Sequence, residues 1–287
     1  MEFRQYREDD YEAVCAFLIA LNREDRSHIN WNWARFEWMY EHPEFDKNAK
    51  SSFGLWIDRG SIVGAAIYDM YFGEAFCAAL PTHASLYPEI LSYAYDALKD
   101  DAGLAVAICD ENAAEIEAAK RQGFVLTEQS ETIMKKDLDR TFPFRLPDDL
   151  HFVSPDPVKD AYAMQWLFWQ GFDHGSDRAE FERTETVTPQ TRRHFRSDLS
   201  VAAANENGEP VAYCCLWYDD RTDYAYVEPV CTIPAYRGRG TAKAAVNEAL
   251  NRAKALGAKT AYVISDMPFY EKLGFSRDRH FTFYRKG

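Results

Sequence analysis

The sequence predicts a mixed α/β protein, α+β in its strand arrangement, in which one fold is used twice. Three observations carry this. The chain has 287 residues, long for a single domain and comfortable for two of roughly 140. Apolar residues make up 47% and aromatics 15%, enough for two packed cores. Segments also recur at a spacing of about 153 residues. Leu80-Pro81 matches Ile233-Pro234 at the end of an apolar run, and "KRQGF" (Lys120–Phe124) matches "EKLGF" (Glu271–Phe275) at a helix stop.

Each element follows from local pattern. "EFRQY" alternates as a strand, and "REDDYEAVCAFLIALN" is helical, with Asp9 or Asp10 as its N-cap. "SHINWNWARFEWMYEHPEF" is an aromatic-rich helix ending before Pro43. "FGLWIDRGSIVGAAIYDMYFG" is a hairpin turning at "DRG", and "FCAALP" a buried strand. "PEILSYAYDALKDDAG" is a helix with Pro88 in its first turn, "LAVAIC" a strand, "ENAAEIEAAKRQGF" a helix stopped by Gly123, and "SETIMKKDL" a closing strand. Residues 139–149 show neither period and carry Pro143 and Pro147, so they are read as a linker between domains 1–138 and 150–287. The same order then returns. "HFVSP" is a strand, "DPVKDAYAMQWLFWQGF" a helix, and "DRAEFERTETVTPQTRRHFR" a second helical segment. "LSVAAANENGEPVAYCCLWY" is a hairpin and "AYVEPVCTI" an apolar strand. "TAKAAVNEALNRAKALGA" is a helix with Ala244, Ala245, Ala249, Leu250, Ala253 and Leu256 on one side. "TAYVIS", "MPFYEKLGF" and "FTFYRKG" close as strand, short helix and strand. Both halves read β-α-α-β-β-β-α-β-α-β.

The formal net charge of −13 argues against a nucleic-acid partner, which needs a basic face. Cys15, Cys77, Cys109, Cys214, Cys215 and Cys231 form no CxxC pair and read as buried thiols; no cluster has metal-ligand spacing. The start, "MEFRQYREDDYEAV", is charged from residue 2 and is not read as a signal peptide, and no apolar run is long enough for a membrane span. A cytoplasmic protein without a membrane partner is expected.

One stretch stands out: "VEPVCTIPAYRGRGTAKAAV". Two glycines and two arginines alternate immediately before a helix. A helix start leaves about four N–H groups unpaired and carries partial positive charge. Glycines allow positive φ and close backbone approach, so such a turn suits an anion, above all phosphate. Gly238, Arg239, Gly240, Thr241 and Ala242 supply the N–H groups, with Arg237 and Arg239 as cationic side chains. Neither GxxxxGK[ST] nor GxGxxG is present.

These residues resemble the GCN5-related N-acetyltransferase (GNAT) family. Arg237-Gly238-Arg239-Gly240-Thr241-Ala242 fits the family's pyrophosphate motif [RQ]-x-x-G-x-[GA], "IPAY" precedes it as expected, and "FYEKLGF" fits the closing signature. The motifs lie in residues 150–287; the element order resembles the family's over the whole chain. The resemblance implies two tandem acyl-CoA N-acyltransferase domains, each a mostly antiparallel mixed sheet flanked by helices. It implies acetyl-CoA as cosubstrate, a small-molecule or peptide amine as acceptor, and direct attack without a covalent enzyme intermediate. The strand Glu228–Ile233 would splay from its neighbour and hold the pantetheine arm through the backbone of Val230, Cys231, Thr232 and Ile233. The Val230 N–H would polarise the thioester carbonyl. Glu228, two residues before Val230 and thus on the same strand face, is the candidate base. Tyr270 matches the family tyrosine that protonates the departing thiolate. Cys231 is not read as a nucleophile, since no histidine lies near it in sequence.

The first half departs from the motif. Against "PAYRGRGTA" it reads "PTHASLYPE": Ala84 faces Arg237, Tyr87 faces Gly240, Glu89 faces Ala242, and Pro88 deletes an N–H. Ala119 faces Tyr270. This copy is expected not to bind CoA. Its "WNWARFEWMY" segment is a candidate for shaping the acceptor site. The alternative reading of the chain is a non-catalytic acyl-CoA-binding or regulatory protein. Either a monomer or a homodimer is compatible, the duplication supplying a pairing within one chain.

Overall fold

A computed structural model describes all residues but 25, 41, 43, 44, 69, 71, 157 and 185–192. The chain folds into two compact units. The first comprises Met1–Met134 with Ile264–Tyr270 and Ser276–Gly287; the second comprises Lys135–Val263 with Glu271–Phe275.

The first unit contains β1 (Glu2–Gln5), α1 (Tyr11–Glu24), α2 (Trp33–Tyr40), β2 (Gly54–Asp58), β3 (Ser61–Tyr68), β4 (Glu74–Ala79), α3 (Tyr87–Leu98), β5 (Leu104–Cys109), α4 (Ala113–Arg121) and most of β6 (Val125–Asp137). The second contains β7 (His151–Val153), α5 (Ala161–Gly171), α6 (Arg178–Phe181), β8 (Ser200–Ala204), β9 (Pro210–Tyr218), β10 (Tyr224–Thr232), α7 (Thr241–Ala255) and β11 (Thr260–Ile264), followed in the chain by α8 (Pro268–Lys272) and β12 (Ser276–Lys286). The element order in each half is the one the sequence patterns predict.

The sequence repeat cuts the chain at 138 and 150, but the units do not follow a single cut. β12 pairs antiparallel with β5 from Phe281↔Cys109 to Lys286↔Leu104, and a ladder assigns a strand to the sheet it completes, wherever it stands in the chain. The first unit's strands run β1-β2-β3-β4-β5-β12-β6, and the second's run β11-β10-β9-β8-β7.

Local chemistry explains most boundaries. The β2–β3 turn uses Arg59 and Gly60 at positive φ (49° and 81°), as a tight hairpin demands. Gly123 and Gly274 stop α4 and α8 at φ 87° and 84°. Asp10 works differently from the expected N-cap. It ends a 3-10 turn (Glu8–Asp10), accepts the Arg7 N–H, and takes a two-pronged ion pair from Arg4, both bonds 2.6 Å. The second helical segment expected over "DRAEFERTETVTPQTRRHFR" is observed only as α6; residues 185–192 of it lie outside those described, as does Pro43.

Residues 139–149 have no regular structure, yet they are fastened down. The Phe142 N–H donates to Asn251 Oδ1, Asn251 Nδ2 returns a bond to the Phe142 carbonyl, and Asn247 Nδ2 donates to the Pro143 carbonyl. The segment is a strap on α7. α7 buries Ala244, Ala245, Ala249, Leu250 and Ala253 as its pattern predicts, whereas Leu256 lies past the helix end and is exposed.

The aromatic segment of the first unit is core. Trp31, Trp33, Phe36 and Tyr40 are all buried, and Trp31 stacks on Phe76 with centroids 5.2 Å apart. Those rings offer no open face to a cationic acceptor, because burying so much apolar surface is what holds α1 and α2 on the sheet. No helix among the described residues is long and apolar enough to cross a membrane.

Candidate functional site

The site is built where β10 leaves β11. The two strands pair in parallel at Tyr224↔Thr260, Ala225↔Ala261 and Tyr226↔Tyr262, and there the pairing ends. β10 continues to Thr232, held on its other side by β9. The Ile233 N–H donates to the Val211 carbonyl on that β9 side. Alternation along a strand then turns the Cys231 N–H toward β9 as well, and the N–H groups of Val230 and Thr232 toward the open side. The expected splayed strand is present, with two donors facing the split.

A bulge precedes this edge. Between Val227↔Leu216 and Val230↔Cys214 the strand carries one extra residue, at Glu228-Pro229, where proline can sit without costing a ladder bond. Trp217 Nε1 pins it by donating to the Glu228 carbonyl at 2.8 Å. Simple alternation therefore does not run from Glu228 to Val230. Both side chains are nonetheless half-buried, between buried Val227, Pro229 and Cys231. The Cys231 thiol is pushed up far above its usual range by burial, which suits packing and not attack. Gly171, the last residue of α5, explains how α5 lies so close: a Cβ there would come within 2.9 Å of Cys231 Cβ and Sγ. α5 seals the strand through Met164 and Leu167 against Ala202, Tyr213, Cys215 and Cys231.

The turn after β10 is the strongest feature. Gly238 and Gly240 adopt φ of 76° and 82°, and nothing lies within 4 Å of where a Cβ would project from either. The first backbone bond of α7 is from the Ala244 N–H to the Gly240 carbonyl. The six N–H groups from Gly238 to Lys243 donate to no acceptor among the described residues. The Thr241 side chain is buried, so this residue offers its backbone. The fit to a pyrophosphate is thus a property of the main chain: an open concavity of unspent donors at a positive helix end.

The arginines are committed elsewhere. Arg237 donates to the carbonyls of Thr232 and Gly171 and pairs with Asp173 at 2.9 Å, tying the end of β10 to the end of α5. Arg239 pairs with Asp149 at 2.6 Å and lies over the Tyr236 ring. The Asp149 carboxyl is held below the usual carboxylate range by that bond. Phe144 and Arg145 of the strap line a cavity of ≈ 410 Å³ with Gly240 and Lys243, so the strap walls one side of the cradle. Tyr270 is buried in α8, its ring against Phe269 with centroids 5.1 Å apart, and it belongs to the first compact unit. Sequence reasoning missed Gly171, Trp217 and Asp149, and named Asp173 only as a loop candidate beside His174. For Gly171 there was a signal, a glycine closing an apolar helix, which needs either a cap or a close neighbour; for Trp217 and Asp149 there was none.

The site thus joins an opened parallel strand edge to a donor-rich turn suited to a phosphate-bearing ligand. Residues 159–275 match the model of the acetyltransferase (GNAT) family. No curated protein sequence matches the chain. Among solved structures it resembles a GCN5-related N-acetyltransferase from Sphaerobacter thermophilus, at 15% identity and TM-score 0.62, covering 99% of this chain and 95% of that one. It also resembles a tandem GNAT protein from the clavulanic acid biosynthesis pathway, solved without AcCoA (16%, TM-score 0.61, covering 99% and 98%). A GNAT-family acetyltransferase from Colwellia psychrerythraea aligns over 100% of both chains at 10% identity and TM-score 0.59. The tandem GNAT fold thus extends over the whole length.

Proposed function

We propose that the chain transfers an acetyl group from acetyl-CoA to a primary amine at a single site, on β10 and the turn into α7. The observation that carries this is the run of six unspent N–H groups, Gly238 to Lys243, beside the open edge of β10. The pyrophosphate would rest on those groups and the pantetheine amides on the β10 edge. The Val230 N–H would hold the thioester carbonyl, where negative charge develops during attack. The amine nitrogen attacks the carbonyl carbon; the C–N bond forms as the C–S bond breaks. Glu228 takes the proton the ammonium must lose, and Tyr270 gives one to the leaving thiolate. The family match supports acyl transfer from acyl-CoA; the acetyl group, the amine and these proton roles are our reading.

The test is Tyr270→Phe with a panel of amines, reading thiol release. Acetyl-CoA affinity should stay unchanged while kcat falls about 10²-fold, the size of a lost general acid. Equal turnover removes Tyr270 from the mechanism. An unaltered chain that binds acetyl-CoA and acetylates no amine supports the non-catalytic reading.

A further inference from the structure

The first unit has the same split and has filled it with different chemistry. β4 and β5 pair in parallel only at Glu74↔Ala105 and Ala75↔Val106, then β4 runs on to Ala79. At its end lies a cavity of ≈ 390 Å³, within the range of small-molecule sites. It cannot take phosphate. The Tyr87 side chain stands where the second unit has Gly240. The Pro81–Leu86 segment is wound into short 3-10 turns that break at His83; the His83 N–H bonds to the Leu80 carbonyl, the Tyr87 N–H to the Ala84 carbonyl, and Pro88 has none.

What lines it instead is a carboxylate. Glu115, from the first turn of α4, has a side chain 14% exposed, with Oε1 3.2 Å from His28 Nε2, an ion pair when that imidazole is protonated. The charge is felt nearby: the buried Tyr87 phenol and Cys77 thiol are both pushed up, first by burial and then by Glu115. A half-buried carboxylate that opens onto a cavity is placed to accept from a cationic donor there. The floor is apolar, with Ala79 and Ala118 buried. Arg121 lines the cavity, at the end of α4, exposed and donating to no acceptor among the described residues.

We propose that this cavity binds a small aliphatic amino acid, its ammonium on the Glu115 carboxylate, its methylenes on the alanine floor and its carboxylate on Arg121. The ligand is a zwitterion because the two charged groups lining the cavity from α4 are of opposite sign. The inference does not rest on the acetyltransferase reading.

The test is calorimetric titration of the full chain with 4-aminobutyrate and 6-aminohexanoate, with butylamine and butyrate as single-ended probes. At least one zwitterion should bind saturably, and both single-ended probes about tenfold or more weaker, the loss of one charge-assisted bond. Glu115→Gln and Arg121→Ala should each weaken the zwitterion about as much. Ser85→Phe, an exposed position lining the cavity, should block binding and leave acetyl-CoA stabilisation intact. The proposal is overturned if neither zwitterion binds, if butylamine binds as well as the amino acids, or if the Glu115 variant, folded by its melting curve, binds normally.

Discussion

The two units carry the same split between parallel strands and use it in opposite ways. In the second, the chain after β10 holds two glycines at positive φ and leaves six donors open. In the first, the chain after β4 winds at once into a 3-10 helix, satisfies itself, and places a tyrosine and a proline at the helix mouth. The fold supplies the cleft; whether it is an anion site depends on whether the local backbone keeps or spends its N–H groups. A handful of residues decide this without changing the strand order.

The comparison breaks most sharply at that turn. Gly240→Glu puts a side chain at φ 82° and a carboxylate in the cradle, and should abolish the thermal shift given by acetyl-CoA, a loss of at least about 100-fold in affinity. Tyr87→Gly should create no such shift, because the 3-10 helix and Pro88 remain. A response in the first variant, or a gain in the second, removes the assignment. Next in size is β12. Phe281 is buried where that strand meets Cys109 of β5, so Phe281→Asp should cost the chain about 3–5 kcal/mol in urea unfolding. A loss under about 1 kcal/mol would mean the strand is dispensable to the first unit.

Gly171→Ala probes how α5 seats on β10. With the new methyl 2.9 Å from Cys231 Sγ, it should destabilise by about 1–3 kcal/mol and weaken acetyl-CoA by distorting the strand edge. Unchanged affinity and melting temperature would show that the helix gives way freely. The smallest effect is expected from Asp149→Asn. Releasing Arg239 from its carboxylate should tighten acetyl-CoA a few-fold at low ionic strength and much less at high salt. Weaker binding would mean that Asp149 positions Arg239 for the ligand.

Much of this was legible in sequence because it is local. Periodicity, turn residues and caps act within a few positions, so the element order came out whole. "RGRGTA" announced a donor-rich turn because glycine spacing fixes backbone freedom. What was hidden depends on partners far away in the chain. Arg239 meets Asp149 and Arg237 meets Asp173 and Gly171, so side chains counted as free cations are already engaged. The bulge at Glu228-Pro229 was half legible: the proline hinted at broken pairing, but the extra residue shows only against β9. The buried tryptophans looked like a binding face because aromatic composition does not say which side of a helix is covered.

The position of β12 bears on the history of the duplication. β5 has β4 on one side and β12 on the other, and β12 is encoded at the far end of the chain. A gene cut at the repeat boundary would deliver a first copy whose β5 shows a bare edge, open to aggregation. On a ribosome, that edge waits until Ser276–Lys286 has been made. Once the strand had been traded, neither copy could be lost or expressed alone without loss of order. A copy with no cofactor cradle is thus retained by the architecture itself, free to take up other chemistry in its cleft.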